Sequence, residues 1–302
     1  KPSLIVSHFS RLNITQFLYL LFYFWIFISI IVNKINTETF VKSFIWGINL
    51  NFIFQLFELL LFSFKKPLPN FLNNQSFLNE TIQILYLKDF NIYRFSGLFP
   101  TSSLLGIYLV VALFLLLFYK KVFSKKQFIF QFIILIFSFL LSPSSTFILG
   151  ALIVLIFYFW FLKKNLWIIL FILIANLLLF YSFLRETTEI RLFLASLSLV
   201  IFKKYPLLGI GWGNHFADLF TSLLANTGIL GFISFLAIFF WLIYKTFKTK
   251  SEFYLMVISI ISLILMGIIW NGVNVNIVWL ILGLWGREII KNYNSQLDRL
   301  KL

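Results

Sequence analysis

The sequence predicts an all-α, polytopic membrane protein, and three observations carry that prediction. Hydrophobic residues make up 61% of the 302 residues and charged residues only 12%, whereas a soluble domain carries roughly a quarter charged residues. Apolar runs of about 20 residues, each long enough to cross a hydrocarbon core of ~30 Å, recur from end to end. The ~10-residue alternating segments of a transmembrane barrel do not occur.

About nine spans are expected, at roughly 14–32, 41–64, 98–119, 127–142, 146–162, 165–183, 223–244, 253–270 and 275–290, and residues 1–302 read as a single integral membrane domain. The chain opens at Lys1 with no signal-peptide pattern, and it is read as a fragment that lacks N-terminal spans. The second span carries Asn51, Gln55 and Glu58 at i, i+4 and i+7, with Gly47 one turn earlier, which places them on one helical face. Polar groups within a bilayer are costly and turn toward the bundle interior or a wet cavity. Asn51, Gln55 and Glu58 are therefore candidates to line a cavity, and the alternative is interhelical hydrogen bonding by a protonated Glu58. Residues 65–97 read as an external loop, with turn chemistry at Pro67, Pro69 and Asn73-Asn74. RFSGLFPTSSLLGIYL then leads from Arg94 into the third span, and LLSPSSTFILG joins the fourth and fifth by a tight turn at Pro143.

A second loop, 184–222, separates the sixth and seventh spans. It opens with an amphipathic helix at about 185–203 of the kind that lies along a membrane surface. Arg185, Glu189, Ser196 and Lys203 form a polar strip of that helix, and Leu192, Phe193, Leu197 and Val200 an apolar one. Arg191, Ala195 and Ser198 fall on a separate small-residue face that can look into the bundle. Pro206 stops the helix, and Gly209, Gly211 and Gly213 allow tight turning or a close approach.

Orientation follows from the basic residues. Lys120, Lys121, Lys125 and Lys126 share one short loop, Lys163 and Lys164 another, and Lys245, Lys248 and Lys250 a third. With Lys34, Lys42, Arg287, Lys291, Arg299 and Lys301 they mark the cytoplasmic side by the positive-inside rule, which places the C-terminus inside and the 65–97 and 184–222 loops outside. The net charge of +15 is thus a topological signal and does not point to nucleic acid.

Much chemistry is excluded. There are no cysteines, so disulfides and thiol catalysis are absent, and two histidines without a cluster make no zinc site. GIGWGN lacks the spacing and the strand–helix setting of a dinucleotide fingerprint, and no Walker A, HExxH or GxSxG sequence occurs. No acidic cluster is available outside to hold Mg²⁺ on a diphosphate; neither metal nor cofactor is expected. What the outer loops retain is Arg94, Arg185 and Arg191, with His215 and Asp218. A guanidinium pairs bidentately with phosphate oxygens and stays charged, and an imidazole or carboxylate beside it can serve as general base toward a hydroxyl. The alternative reading of these basic residues is contact with lipid headgroups.

The order RFSGLF, SPSST, Arg191 followed by PLLGIGWGN, and then LLANTGILGFISFL resembles the O-antigen ligase and O-antigen polymerase family of bacterial inner membranes, over roughly 94–240. The resemblance implies a metal-independent glycosyltransferase facing the periplasm, with 184–222 as its catalytic loop. Its donor would be an undecaprenyl-diphosphate-linked oligosaccharide, and its acceptor another glycan or a lipid A core sugar. The family's diphosphate-contacting arginines map onto Arg94 and Arg191, with Arg185 as a further candidate, and His215 or Asp218 would act as base. The chain departs from the family pattern at Ala217 and Asp218, where members carry His-Asn, and at Ser102-Ser103 and Ser144-Ser145. Those departures favour a divergent polymerase over a standard ligase. A transporter or flippase for lipid-linked glycan, or a non-catalytic subunit of an export complex, are the alternatives.

Overall fold

The structure is a computed structural model that describes residues 11–33, 35–64, 83–87, 90–99, 101–161, 193, 195–210, 219–249, 253–269 and 276–300. Apart from one short hairpin and the connecting turns, these residues are helical. The helices are α1 (Arg11–Val32), α2 (Thr37–Ser63), α3 (Ser102–Phe118), α4 (Lys125–Leu141), α5 (Ser145–Phe161), α6 (195–204), α7 (Leu219–Thr249), α8 (Phe253–Ile269) and α9 (Asn276–Leu300). Strands β1 (Gln83–Leu87) and β2 (Phe90–Arg94) pair antiparallel, with Gln83 opposite Arg94 and Leu87 opposite Phe90. The chain divides into two compact units, Asn36–Leu184 and Lys1–Ile35 with Arg185–Leu302. The expected spans coincide with helices, save 165–183, which lies outside the described residues.

Two helical stretches, Thr37–Ser63 and Phe220–Lys248, are long and apolar enough to cross a membrane. Ser102–Phe118, Thr146–Phe159 and Phe253–Leu263 are shorter apolar helices. α2 buries Val41, Ile45 and Ile48 in its first half, and from Asn51 onward it is the inverse of a soluble amphipathic helix. Asn51, Gln55 and Glu58 are buried, while Trp46, Leu50, Ile53, Leu56 and Leu60 are exposed. That arrangement is unfavourable in water and favourable in lipid, where polar side chains seek protein partners and apolar ones need none. α4 does so in part, burying Gln131 and Ser138 beside Ile134 and Leu135 and exposing Ile129, Phe130, Ile133, Phe137 and Leu140.

In the Asn36–Leu184 unit, α3 is the core. Its residues are apolar on every side, as a fully surrounded helix requires, and it packs against α2, α4 and α5. Local signals set the ends. Asn36 caps α2 by accepting from the Glu38 N–H at 3.1 Å, and Thr101 caps α3 by accepting from the Leu104 N–H at 3.2 Å. Ser124 and Gln127 form a reciprocal capping box at the start of α4. Pro143 follows the end of α4, where a backbone N–H can no longer be supplied to a continuing helix.

In the other unit, α9 packs with α1, α7 and α8. Gly283 and Gly286 allow α1 to approach closely, since a methyl on Gly283 would lie 3.1 Å from the Phe27 carbonyl oxygen. Trp285 is fully buried, and its indole N–H donates to Thr246 Oγ1 at 2.7 Å. α7 is broken at Gly228, whose φ of 64° and ψ of −168° are not helical.

Candidate functional site

The buried polar face of α2 receives the residues that follow β2, together with Ser138 of α4. Gln55 Nε2 donates to the Phe95 carbonyl at 2.6 Å and to the Ser138 carbonyl at 3.0 Å, and Gln55 Oε1 accepts from Ser138 Oγ. Glu58 Oε2 accepts from the Gly97 N–H, and Asn51 Oδ1 from the Leu98 N–H, each at 2.8 Å. Three side chains spaced along one helix thus bind the RFSGLF backbone at Phe95, Gly97 and Leu98. The sequence brings Asn51, Gln55 and Glu58 together, and the structure shows what occupies them.

Gly97 makes this docking possible. Its φ of +64° lies in the left-handed region, and an added Cβ would stand 2.6 Å from Asn51 Oδ1 and 2.9 Å from the Asn51 carbonyl oxygen. The segment is tied on its other side by the Phe95 N–H, which donates to the Leu141 carbonyl at 2.9 Å. β2 therefore ends with its last residue, Arg94, anchored between the hairpin and the end of α4.

Arg94 Nη1 donates to Ser102 Oγ at 3.0 Å, in the first turn of α3. Its Nε is buried and has no hydrogen-bond partner among the described residues. The ion pairs among those residues, Arg287–Glu288 and Lys291–Glu288, do not include it. Burial lowers the guanidinium pKa from its ordinary value, because the charged form loses solvent. A partly buried cation that has a hydroxyl neighbour and no carboxylate partner among the described residues is short of negative charge there.

Other polar atoms at this end of the unit are also short of partners. Ser142 Oγ, Ser144 Oγ, Thr146 Oγ1 and Asn51 Nδ2 are buried and unsatisfied among the described residues. Ser144 faces α3, since a methyl on Gly106 would meet its Oγ at 2.6 Å. Gly106 lies one turn beyond Ser102, so the Arg94–Ser102 pair and the Ser144 hydroxyl border the same first turns of α3. Buried hydroxyls without protein partners are satisfied by water or ligand. The combination can bind an anion that accepts hydrogen bonds, as a phosphate does.

Sequence reasoning singled out Arg94 and the α2 face, and it did not place Ser142, Ser144 and Thr146 beside them. The SPSST turn carries them in alternation, and its spacing from Arg94 gave no signal of proximity. Arg185, Arg191, His215 and Asp218 lie outside the described residues. Comparison of the chain with protein-family models, curated proteins and solved structures finds no match.

Proposed function

We propose that this protein is a polytopic glycosyltransferase of the bacterial inner membrane that polymerises or ligates undecaprenyl-diphosphate-linked glycan on the periplasmic face. The observation that carries the proposal is Arg94, which is half-buried, hydrogen-bonded to Ser102, unpaired by any described carboxylate and held in place through the backbone by α2 and α4. A guanidinium so placed neutralises a diphosphate leaving group as its bond to the sugar breaks, the role a metal ion plays elsewhere. The unsatisfied hydroxyls of Ser144 and Thr146 are available to the remaining phosphate oxygens. Arg191 and Arg185 are further candidates for the donor. His215 or Asp218 would take the proton from the acceptor hydroxyl as it attacks the sugar carbon. A divergent polymerase is favoured over a ligase.

The test is the gel profile of surface glycan from a deletion strain carrying wild type, Arg94→Ala or Arg94→Lys at equal protein level. For a polymerase, wild type restores a ladder, Arg94→Ala leaves a single repeat unit, and Arg94→Lys gives partial recovery because an ammonium lacks the planar fork. For a ligase, the deletion leaves long chains on the carrier lipid. An unchanged ladder in the deletion strain, or full activity in Arg94→Ala, contradicts the proposal.

A further inference from the structure

The other unit carries a surface that Arg94 and its neighbours do not use. α6 and the turn after it, 205–210, bury Ser198 and expose Leu199, Val200, Leu207 and Leu208, the last at 73%. Lys203 and Lys204 are exposed in the same stretch, and neither pairs with a carboxylate among the described residues. Lys204 Nζ stands 5.4 Å from the Tyr205 ring centroid.

The height of this surface along α7 is fixed. The Ile210 N–H donates to the Ala225 carbonyl at 2.9 Å, and the Ile229 N–H donates to the Pro206 carbonyl at 2.8 Å. Gly209 and Gly228, both with φ near +65°, bring the two backbones into direct contact; a methyl on Gly209 would lie 2.5 Å from the Ala225 oxygen, and one on Gly228 would fall on the Leu207 carbonyl group. From Gly228 to Lys245 the unbroken part of α7 measures roughly 26 Å at 1.5 Å per residue, close to the ~30 Å of a hydrocarbon core. With Lys245 at one boundary, the 205–210 turn stands at the other.

We propose that α6 and the 205–210 turn form a docking surface for anionic phospholipid. Leu199, Val200, Leu207 and Leu208 enter the boundary between headgroups and acyl chains, and Lys203 and Lys204 bind headgroup phosphate. A protein partner would satisfy the leucines but not, without its own acids, the two ammonium groups. A bilayer interface satisfies both at the depth that α7 imposes. The inference requires only that α7 spans a bilayer, and it stands independently of any sugar transfer.

The chain has no cysteine, so a single spin label can be placed at Val200→Cys or Leu208→Cys, with Lys121→Cys as an exposed control. The labelled protein is reconstituted in nanodiscs of phosphatidylcholine with or without phosphatidylglycerol. Both test labels are expected to be accessible to oxygen and shielded from a water-soluble nickel complex, unlike the control. In unlabelled protein, Lys203→Gln and Lys204→Gln are each expected to weaken phosphatidylglycerol retention about fivefold, with an unchanged elution profile showing that the fold is intact. Labels reached by nickel, or closed to both reagents as under a protein partner, overturn the proposal. So does phosphatidylglycerol retention that is unchanged when both lysines are replaced.

Discussion

Gly97 and Gln55 decide where Arg94 sits, although neither touches it. Gly97→Ala puts a methyl against Asn51 and forces an L-residue into the left-handed region, which is expected to cost on the order of 2 kcal/mol. A thermal unfolding scan of the detergent-solubilised protein reads it as a lowered midpoint. Gln55→Leu keeps the volume but leaves the Phe95 carbonyl without its donor and the Ser138 hydroxyl without its acceptor, at an expected cost of about 1–3 kcal/mol. Glycan transfer should fall in both variants by more than the loss of folded protein, because Arg94 directly precedes Phe95. Normal transfer per folded molecule would contradict a positioning role for the segment. The i, i+4, i+7 spacing made the polar face of α2 legible in the sequence. Its occupant was not, because hydrogen bonds from side chain to backbone depend on which distant segment arrives, and Phe95 lies forty residues from Gln55.

At the scale of elements, the broken helix α7 and the β1–β2 hairpin lie beyond what local pattern discloses. TGILGF was recognisable as a motif, yet the reason for Gly228 is its contact with Leu207 of a segment met earlier in the chain. Gly228→Ala is expected to separate the 205–210 turn from α7 and to destabilise the protein by on the order of 2 kcal/mol or more. Faster limited proteolysis in the 205–210 stretch would check it; wild-type resistance would mean that the two backbones do not need this contact. The hairpin was read as loop because only Lys88 and Asp89 join its strands, and that pair lacks the Asn-Gly or Asp-Gly signal that marks a two-residue turn. The helices themselves were legible from their apolar runs, whereas the ends that Asn36, Thr101 and Ser124 set by capping their own next turn were placed two to four residues away.

For the molecule as a whole, the inverted polarity of α2 and α4 and the length of α2 and α7 fit a chain built for lipid. By the positive-inside rule the basic loops are expected to set its direction, with Lys121 in the cytoplasm and Leu98 outside. Single cysteines at these two positions, exposed to a membrane-impermeant maleimide on intact spheroplasts, should label Leu98→Cys at once and Lys121→Cys only after permeabilisation. The reverse pattern would overturn the orientation and the periplasmic site with it. The most direct test of the central claim is transfer by the purified protein in nanodiscs, given undecaprenyl-diphosphate-linked repeat units, a chelator and no other enzyme. Wild type is expected to release undecaprenyl diphosphate and lengthen the glycan, and Arg94→Ala to do so on the order of a hundredfold more slowly. Equal rates for the two proteins, or no lengthening by a wild-type protein that carries intact donor across the bilayer, would contradict the account.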